Sequence, residues 1–474
     1  MSDCCPPQNN KCYDLAVIGA GSAGFSAAIT AAAQGATVAL IGHGTIGGTC
    51  VNVGCVPSKT MIRAAEALQG ARAAARFAGL AGEAHVVDWS RLISAKDELV
   101  SALRQKKYTD LLPEYKGIAY LEGLARLDGL GIVVNDAAIA ANKIIIATGS
   151  SPALPDIPGI ADVAYFTSTT ALDLAELPRS LIVIGGGYIG CELAQMFARA
   201  GTEVTLVTRS RLLPEAEPEI SDALTGYLRD EGIKIWTGLA YQRIAEIDHT
   251  IALTIAVGGE NQTIVADQVL LATGRTPNTR GLELPAAGVV LSHKGGIIVD
   301  DRMRTSKPGV YAAGDVTGRD QFVYMAAYGA KLAAHNALNG DSLIYDNTAM
   351  PWVVFTDPQV AGVGLTEAAA KTAGFEPKIS IIALDQVPRA LAARDTRGLI
   401  KLVADQKTDR LLGAQILAPE GADSIQTMVL ALTHGMTTKA LGETIFPYLT
   451  TVEGLKLAAQ GFGKDVAKLS CCAG

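Results

Sequence analysis

The chain has 474 residues, of which 49% are hydrophobic and 18% charged, with a formal net charge of −7. This length exceeds what a single hydrophobic core organises and predicts a globular protein of roughly three domains. The acidic balance argues against nucleic acid or an anionic membrane as the main partner. The N-terminus does not have the pattern of a signal peptide, so we expect a cytoplasmic protein.

Residues 1–12 are predicted to form a flexible tail, because they are rich in Pro, Asn and Gln and have no apolar period. Cys4, Cys5 and Cys12 lie in this tail. They could pass a soft metal ion inward, or have no role, and the sequence leaves both readings open.

A dinucleotide site is predicted immediately after the tail. An apolar strand over Tyr13–Gly19 enters a glycine-rich loop, a helix follows from Phe25 to Gln34, and a second strand covers Thr37–Ile41. This strand–loop–helix–strand order lets the backbone approach a pyrophosphate at the helix N-terminus. The second strand should end in Asp or Glu for the ribose, but Gly42 stands there. The group that binds the ribose in its place is not evident from the sequence.

The segment Gly47–Lys59 is the strongest candidate for a reactive site. Cys50 and Cys55 are separated by four residues and Pro57 follows, near a predicted helix start. Such a pair can close a small disulfide ring, act as a dithiol, or consist of buried structural thiols. A helix N-terminus favours a thiolate. Because the pair follows a dinucleotide loop and precedes Lys59, we predict redox chemistry.

The rest of the first domain alternates helices and strands. Helices are predicted over about Thr60–Ala78 and Trp89–Leu112, and antiparallel strands around Ile118–Val134. A buried strand over Lys143–Gly149 ends in a tight turn and closes the domain. The Pro-rich run Pro152–Pro158 connects it to the next one.

A second dinucleotide loop begins after the strand Leu181–Ile184, followed by a helix over Cys191–Arg199 and a strand over Glu203–Val207. Two separated loops imply two dinucleotides. The second strand ends without a carboxylate and is followed by Arg209 and Arg211, which favour the 2′-phosphate of NADPH over NADH. The alternative is a pair of solvated arginines.

The C-terminal third begins with a strand over Gly309–Asp315, which presents a carboxylate where a sugar or ribityl hydroxyl would be held. A different pattern begins at about Ala349. Its strands lie near Trp352–Phe355 and Leu399–Val403, and its helices near Ala422–His434 and Lys439–Leu441.

This layout resembles the flavoprotein disulfide reductase family over essentially the whole chain. The resemblance rests on both glycine loops, on Cys50 and Cys55 with Val-Pro-Ser-Lys, on two Ala-Thr-Gly strand endings and on Gly314-Asp315. It implies an α/β fold with two Rossmann-like dinucleotide-binding domains plus a C-terminal α+β dimerisation domain. It also implies FAD in the first domain, a pyridine nucleotide in the second, and a homodimer with active sites at the subunit interface. The expected domains are 1–12, a flexible tail; 13–150, FAD-binding with the redox dithiol; 151–280, NADPH-binding; 281–345, a central segment completing the FAD site; and 346–474, dimerisation with a Cys-Cys tail.

The resemblance also implies roles for individual residues. Cys55 would be the thiolate that lies against the flavin, and Cys50 would be the exchanging thiol. Lys59 and Glu192 would pair near the flavin. Tyr188 would gate the nicotinamide pocket. The residues expected to contact the cofactors are Gly19, Gly21, Gly24, Thr49, Lys59, Thr148, Gly149 and Asp315 for FAD, and Gly185, Gly187, Tyr188, Gly190, Arg209 and Arg211 for NADPH.

One departure from the family pattern bears on the substrate. Disulfide-reducing members carry a His five residues before a C-terminal Glu, whereas here Tyr448 precedes Glu453. A phenol with a pKa of about 10 is a poor proton shuttle at neutral pH. A site that keeps two thiols without this base suits a soft metal ion better than a disulfide.

Four features are similar to the family members that reduce Hg(II): Phe446-Pro447-Tyr448, Val387–Ala390, Leu469–Gly474, and Tyr165 before Thr167. We therefore expect NADPH-dependent reduction of Hg(II) to elemental mercury, for detoxification, at a Cys50/Cys55 dithiol. Hg(II) would arrive as a thiol complex, and Cys471 and Cys472 would pass it to the partner subunit's dithiol along a path lined by Tyr165 and Tyr448. The separate N-terminal metal-binding domain of some members is not expected here.

Three alternatives stay open at this point. A thioredoxin-reductase-like enzyme would also end in a redox-active tail, but the missing His argues against it. A lipoamide-dehydrogenase-like enzyme would need the same His and a carboxylate at Thr208. A metal-sequestering thiol protein with vestigial nucleotide sites is disfavoured by the intact glycine loops.

Overall fold

A computed structural model describes residues 12–129 and 131–464 of the chain. They form two compact units. The first contains the residues up to Thr60, Ser90–Ala153 and Gly274–Asp346; the second contains Met61–Trp89, Leu154–Thr273 and the residues from Asn347 onwards. Across the described ranges, no helix is both long and apolar enough to cross a membrane.

The strands are numbered in chain order. They are β1 (Tyr13–Ile18), β2 (Val38–Gly42), β3 (Ile118–Glu122), β4 (Ala125–Asp128), β5 (Gly131–Val134), β6 (Ala137–Ile139), β7 (Ala141–Ile146), β8 (Ser150–Pro152), β9 (Phe166–Thr167), β10 (Ser180–Ile184), β11 (Glu203–Val207), β12 (Lys234–Trp236), β13 (Ala240–Ile247), β14 (Thr250–Val257), β15 (Glu260–Ala266), β16 (Gln268–Leu271), β17 (Arg275–Pro277), β18 (Val310–Ala312), β19 (Pro351–Val354), β20 (Gln359–Gly364), β21 (Pro377–Ala383), β22 (Leu399–Asp405) and β23 (Leu411–Ala418).

The α-helices are numbered in the same way. They are α1 (Ser22–Ala33), α2 (Gly48–Val53), α3 (Cys55–Arg72), α4 (Trp89–Arg104), α5 (Tyr188–Ala200), α6 (Pro218–Asp230), α7 (Val323–Asn339), α8 (Glu367–Thr372), α9 (Pro388–Ala393), α10 (Gly421–Thr433), α11 (Thr438–Glu443) and α12 (Glu453–Gln460).

The first unit is built on a five-stranded parallel sheet in the order β18-β7-β1-β2-β3. Its central strand β1 is an apolar run with almost no exposed side chain, as expected for a parallel strand covered on both faces. Because parallel strands point the same way, the loops after β1, β2, β7 and β18 gather at one edge of the sheet. This edge carries the first glycine loop.

Two expectations about this unit are corrected. The Ile118–Val134 region is not wholly antiparallel, since β3 pairs in parallel with β2 and only β4, β5 and β6 form an antiparallel sheet. Alternating burial does not reveal the direction of a partner strand, which is set by the rest of the sheet. The helix predicted over Trp89–Leu112 is shorter, because the α-helix α4 ends at Arg104. A π-helical turn over Gln105–Thr109 follows it.

The second unit repeats the parallel architecture and adds an antiparallel layer. Its five-stranded parallel sheet has the order β12-β11-β10-β16-β9, and β13, β14 and β15 form an antiparallel sheet beside it. The C-terminal part is an antiparallel sheet, β19-β20-β23-β22-β21, whose buried core also includes side chains from α10 and α12. The predicted fold class, two Rossmann-like domains plus a C-terminal α+β domain, is confirmed.

Candidate functional site

The first glycine loop has the geometry of a phosphate cradle. A Cβ at Gly19, where φ is +116°, would lie 2.2 Å from the carbonyl oxygen of Ala147, and a Cβ at Gly24 would lie 1.7 Å from that of Gly19. Only glycine fits at either position. Gly21 precedes α1 and has no side-chain cap, so the first N–H groups of the helix remain available to an anion. These residues fit the pyrophosphate of a dinucleotide.

The cysteine segment packs directly on this loop. The Gly47 N–H donates to the Ala20 carbonyl oxygen at 2.9 Å, and a Cβ at Gly48 would lie 2.6 Å from the Cα of Gly21. The segment therefore starts in backbone contact with the dinucleotide loop. Cys50 lies in α2 and Cys55 is the first residue of α3.

Two short-range features bring the cysteines together. The Asn52 side-chain amide donates to the carbonyl oxygens of Ile46 and Gly48, at 2.9 and 2.8 Å, and accepts from Arg104 at 3.0 Å. Gly54 separates the two helices, and a Cβ there would lie 2.9 Å from the Thr49 carbonyl oxygen. Its missing side chain allows α3 to begin against the end of α2.

The two sulfurs are thiols rather than a disulfide. The pKa of Cys50 is raised far above its usual range by its hydrogen bond to Cys55, by burial and by the charge on Cys55, while Lys59 acts in the opposite direction. These effects favour a protonated Cys50, and Cys55 stands at the N-terminus of α3. The N-terminus of α3 favours a charge at that position.

Tyr108 is a neighbour of the dithiol that the sequence did not reveal. Its ring stands edge-on to Phe25 with centroids 4.8 Å apart, and its hydroxyl lies 3.5 Å from the Ser22 hydroxyl. Burial raises its pKa, and both cysteines add to the shift. Tyr108 lies on the π-helical turn after α4, a distortion often found at functional sites, but nothing in the sequence pattern marks that turn.

Asp315 is held at the end of β18 by a polar network. The Ser150 hydroxyl donates to its carboxylate at 2.6 Å, and Arg275 donates to the Ser150 hydroxyl and carbonyl at 2.7 and 2.6 Å. Burial lowers the pKa of Arg275, opposed by the charges of Asp315 and Cys55. Arg275 follows the second Ala-Thr-Gly ending, and its place beside Asp315 depends on long-range pairing of β17 with β8.

Thr148 and Gly149, both expected to contact FAD, lie in the turn after β7. The Thr148 hydroxyl donates to the Asn278 carbonyl oxygen at 2.7 Å, and the Asn278 side chain donates back to the Thr148 carbonyl at 3.0 Å. Gly149 has a φ of +72°, which favours glycine. The turn and the loop after β17 thus stabilise each other.

The second glycine loop, in the second unit, has matching geometry. A Cβ at Gly185, where φ is +119°, would lie 2.3 Å from the Ala272 carbonyl oxygen, and one at Gly190 would lie 1.8 Å from that of Gly185. Around Gly187, which precedes α5, a Cβ would meet no described atom within 4 Å. This loop also fits a dinucleotide pyrophosphate.

The two side chains of α5 singled out from the sequence lie against β19 and the segment that follows it. The ring of Tyr188 stacks on Trp352 with centroids 5.7 Å apart, and burial raises its pKa to about 12. The buried carboxylate of Glu192 accepts a hydrogen bond from the Phe355 N–H at 2.8 Å.

The two arginines after β11 have different surroundings. Arg211 donates to the carbonyl oxygens of Pro214 and Ala216, at 3.1 and 2.5 Å, so its guanidinium is engaged in a local turn. Arg209 is exposed, and no hydrogen bond or ion pair joins it to another side chain in the described ranges. Thr208 is buried against Gly186.

Glu420 links two segments of the second unit that the sequence analysis identified, Val387–Ala390 and the segment from Phe446 to Glu453. Glu420 lies 3.7 Å from Arg389 and accepts from the Thr451 hydroxyl at 3.1 Å. Tyr448 is 49% exposed, and Glu453 accepts from the Leu449 N–H at 3.2 Å. The carboxylate therefore shapes the turn that presents Tyr448.

Two other predicted residues lie at strand starts, where the Cys12 sulfur is 3.8 Å from the side-chain oxygen of Asn142. Tyr165 is 38% exposed and precedes β9 at the edge of the second parallel sheet, and Cys12 precedes β1. No group of three or more His, Cys, Asp or Glu side chains in residues 12–129 and 131–464 is arranged to hold a metal ion. Outside the described residues lie Cys4, Cys5, Cys471 and Cys472.

Comparison with known proteins adds an independent line of evidence. The family model of pyridine nucleotide-disulphide oxidoreductases matches residues 13–334, and that family's dimerisation domain matches residues 350–459. The mercuric reductase of Staphylococcus aureus is 48% identical over 98% of this chain and 84% of its own length. The mercuric reductase of Streptomyces lividans is 47% identical over 98% of both chains.

A solved structure of a related flavoprotein has a similar fold. The Cu(II) complex of an HOCl-induced flavoprotein disulfide reductase from Escherichia coli superimposes with a TM-score of 0.84 at 31% identity, covering 95% of this chain and 99% of that one. The family resemblance inferred from the motifs is confirmed. The chain belongs to the pyridine nucleotide-disulphide oxidoreductase family.

Proposed function

We propose that this chain reduces Hg(II) to elemental mercury for detoxification, with electrons that come from NADPH and pass through FAD and the Cys50/Cys55 dithiol. The observation that carries the proposal is the hydrogen-bonded thiol pair at the junction of α2 and α3, packed on a dinucleotide loop. Relatives that are 47–48% identical over nearly the whole chain are mercuric reductases. The chain is an FAD- and NADPH-dependent oxidoreductase, as predicted.

The cofactors fit the two glycine loops. When bound, FAD supplies the two-electron chemistry that links hydride donation by NADPH to reduction at the dithiol. The overall reaction converts NADPH and Hg(II) into NADP⁺, a proton and Hg(0). Neither sulfur changes oxidation state, because the metal ion accepts the two electrons, and Cys50 takes up a proton again when Hg(0) leaves.

The chain's own residues bind and orient the metal ion. The Cys55 thiolate forms the first bond to Hg(II) and displaces one of the two small-thiol ligands as a thiolate, because soft ions prefer thiolate ligands and exchange them. The second bond forms when Cys50 gives up its proton and displaces the other small-thiol ligand, which leaves as the protonated thiol. The Tyr448 phenol does not act as a neutral-pH base in this scheme.

The dimerisation domain supports a homodimer. We propose that the active sites lie at the interface of this homodimer and that Cys471 and Cys472 deliver Hg(II) to them. We also propose that Lys59 and Glu192 pair near the flavin and that Tyr165 and Tyr448 line the path of the metal ion. The domain boundaries are those expected from the sequence. A cytoplasmic location suits the enzyme, because cytosolic thiols are kept reduced.

Alanine variants of the two cysteines test the redox assignment. Cys50→Ala and Cys55→Ala should each abolish Hg(II)-dependent NADPH oxidation, because chelation needs both thiols. FAD should stay bound, and NADPH should still bleach its absorbance in both variants, which serves as the internal control. Near-normal Hg(II) turnover by Cys55→Ala would show that the redox pair is assigned wrongly.

A further inference from the structure

The first dinucleotide site lacks the acidic residue that usually binds the adenosine ribose. In nucleotide-binding folds of this type, an Asp or Glu at the end of the second strand accepts hydrogen bonds from the ribose hydroxyls. Here Gly42 is the last residue of β2, so no side chain extends from that position. A different group must bind the ribose if the site keeps its affinity for FAD.

A tyrosine hydroxyl stands where the missing side chain would begin. A Cβ at Gly42 would lie 2.6 Å from the hydroxyl oxygen of Tyr120, with the Ala20 methyl group 2.8 Å away on the glycine loop. In an aspartate, each carboxylate oxygen lies about 2.4 Å from Cβ by standard bond lengths. The Tyr120 hydroxyl oxygen therefore lies about as far from the Cβ position of residue 42 as a carboxylate oxygen of an aspartate there would.

The position of Tyr120 is fixed by the sheet. It lies in β3, opposite Leu40 of β2 in the parallel register, and its side chain reaches along the sheet to the end of β2. No protein group in the described residues forms a hydrogen bond with its hydroxyl. Burial raises its pKa and the charge of Glu122 adds to the shift, so the hydroxyl stays protonated and able to donate at neutral pH.

We propose that the Tyr120 hydroxyl binds the adenosine ribose of FAD in place of the carboxylate absent at Gly42. A phenol can both donate to and accept from a ribose hydroxyl, whereas a carboxylate only accepts. The pairing also explains why position 42 is glycine, because any larger residue would collide with the Tyr120 hydroxyl and the Ala20 methyl group.

Glu122 is the competing candidate. It pairs with Gly42 in the β2–β3 register, and it carries a carboxylate. However, its side chain is exposed, whereas the Tyr120 hydroxyl lies against Gly42 itself. The observations favour Tyr120, and the two residues can be separated by mutation.

The test measures nucleotide binding by the full-length protein after removal of FAD. Tyr120→Phe, which keeps the ring, is compared with Glu122→Gln and with Tyr115→Phe, a control just before β3. Flavin fluorescence gives the dissociation constant of FAD, and competition gives those of ADP and its 2′-deoxy and 3′-deoxy analogues. Loss of one neutral hydrogen bond should weaken FAD and ADP binding about fivefold.

The pattern across ligands decides the outcome. The wild-type protein should prefer ADP to at least one deoxy analogue, and Tyr120→Phe should lose that preference, while Tyr115→Phe and Glu122→Gln keep it. A Tyr120→Phe protein that binds FAD normally and still discriminates against the deoxy analogues would overturn the proposal. So would a loss of discrimination confined to Glu122→Gln, which would assign the ribose to that carboxylate.

Discussion

Two neighbouring arginines that look equivalent in the sequence have different surroundings in the fold. Arg211 is held by the carbonyl oxygens of Pro214 and Ala216, whereas Arg209 is exposed beside the strand end. A 2′-phosphate needs a guanidinium whose donors are available. At the scale of single residues, we therefore expect cofactor choice to depend mainly on Arg209.

Separate variants test this assignment. Arg209→Gln should raise the Michaelis constant for NADPH by roughly 10- to 150-fold, because a hydrogen bond to a charged group contributes about 1.5–3 kcal/mol. The constant for NADH should hardly change. Arg211→Gln should affect both nucleotides alike, through its local turn. Equal effects of Arg209→Gln on the two nucleotides would show that this arginine is only surface charge.

At the scale of elements, the junction between α2 and α3 positions the dithiol. A Cβ at Gly54 would lie 2.9 Å from the Thr49 carbonyl oxygen and 3.3 Å from the Cα of Cys50. A side chain there would push the end of α2 away from the start of α3, and with it Cys50 from Cys55. The distance between the sulfurs thus depends on one glycine.

Paired glycine variants measure this effect. Gly54→Ala should slow Hg(II) reduction by about 10- to 100-fold, since small displacements of reacting groups cost that much, while FAD content stays normal. Gly70→Ala is the control, because Gly70 is exposed in the last turn of α3, just before the 3-10 turn Ala73–Arg76, with no atom within 4 Å of an added Cβ. It should leave turnover intact and stabilise the protein by roughly 0.5–1 kcal/mol in denaturant unfolding. Equal turnover of the two variants would contradict the positioning role of Gly54.

The sequence predicts the elements whose signals are local. Both glycine loops, their flanking strands and the order of the cysteines can be read directly, because each depends on a short pattern of glycines and apolar residues. The parallel direction of β3 could not be read, since it depends on a partner about 80 residues away. Tyr108, Arg275 and Tyr120 were missed for the same reason, because each reaches its site through long-range packing.

At the scale of the whole molecule, the proposal requires a dimer in which one subunit's tail serves the other's dithiol. A mixed dimer tests this arrangement. One subunit would lack Cys50 and Cys55, and the other would lack Cys471 and Cys472. If the tail acts across the interface, the remaining tail serves the remaining dithiol, and turnover of a bulky Hg(II)–thiol complex persists at about half the wild-type rate per dimer. A rate as low as that of a dimer without any tail cysteines would contradict delivery between subunits.

The most direct test of the whole account is a comparison of electron acceptors. NADPH oxidation by the purified enzyme is followed with Hg(II) in excess small thiol and, separately, with small and protein disulfides, while the release of volatile Hg(0) is collected. We predict sustained turnover with Hg(II), with one Hg(0) released for each NADPH oxidised, and little turnover with any disulfide, because Tyr448 replaces the proton-handling His. Faster turnover with a disulfide than with Hg(II), or NADPH oxidation without Hg(0), would contradict the proposed function.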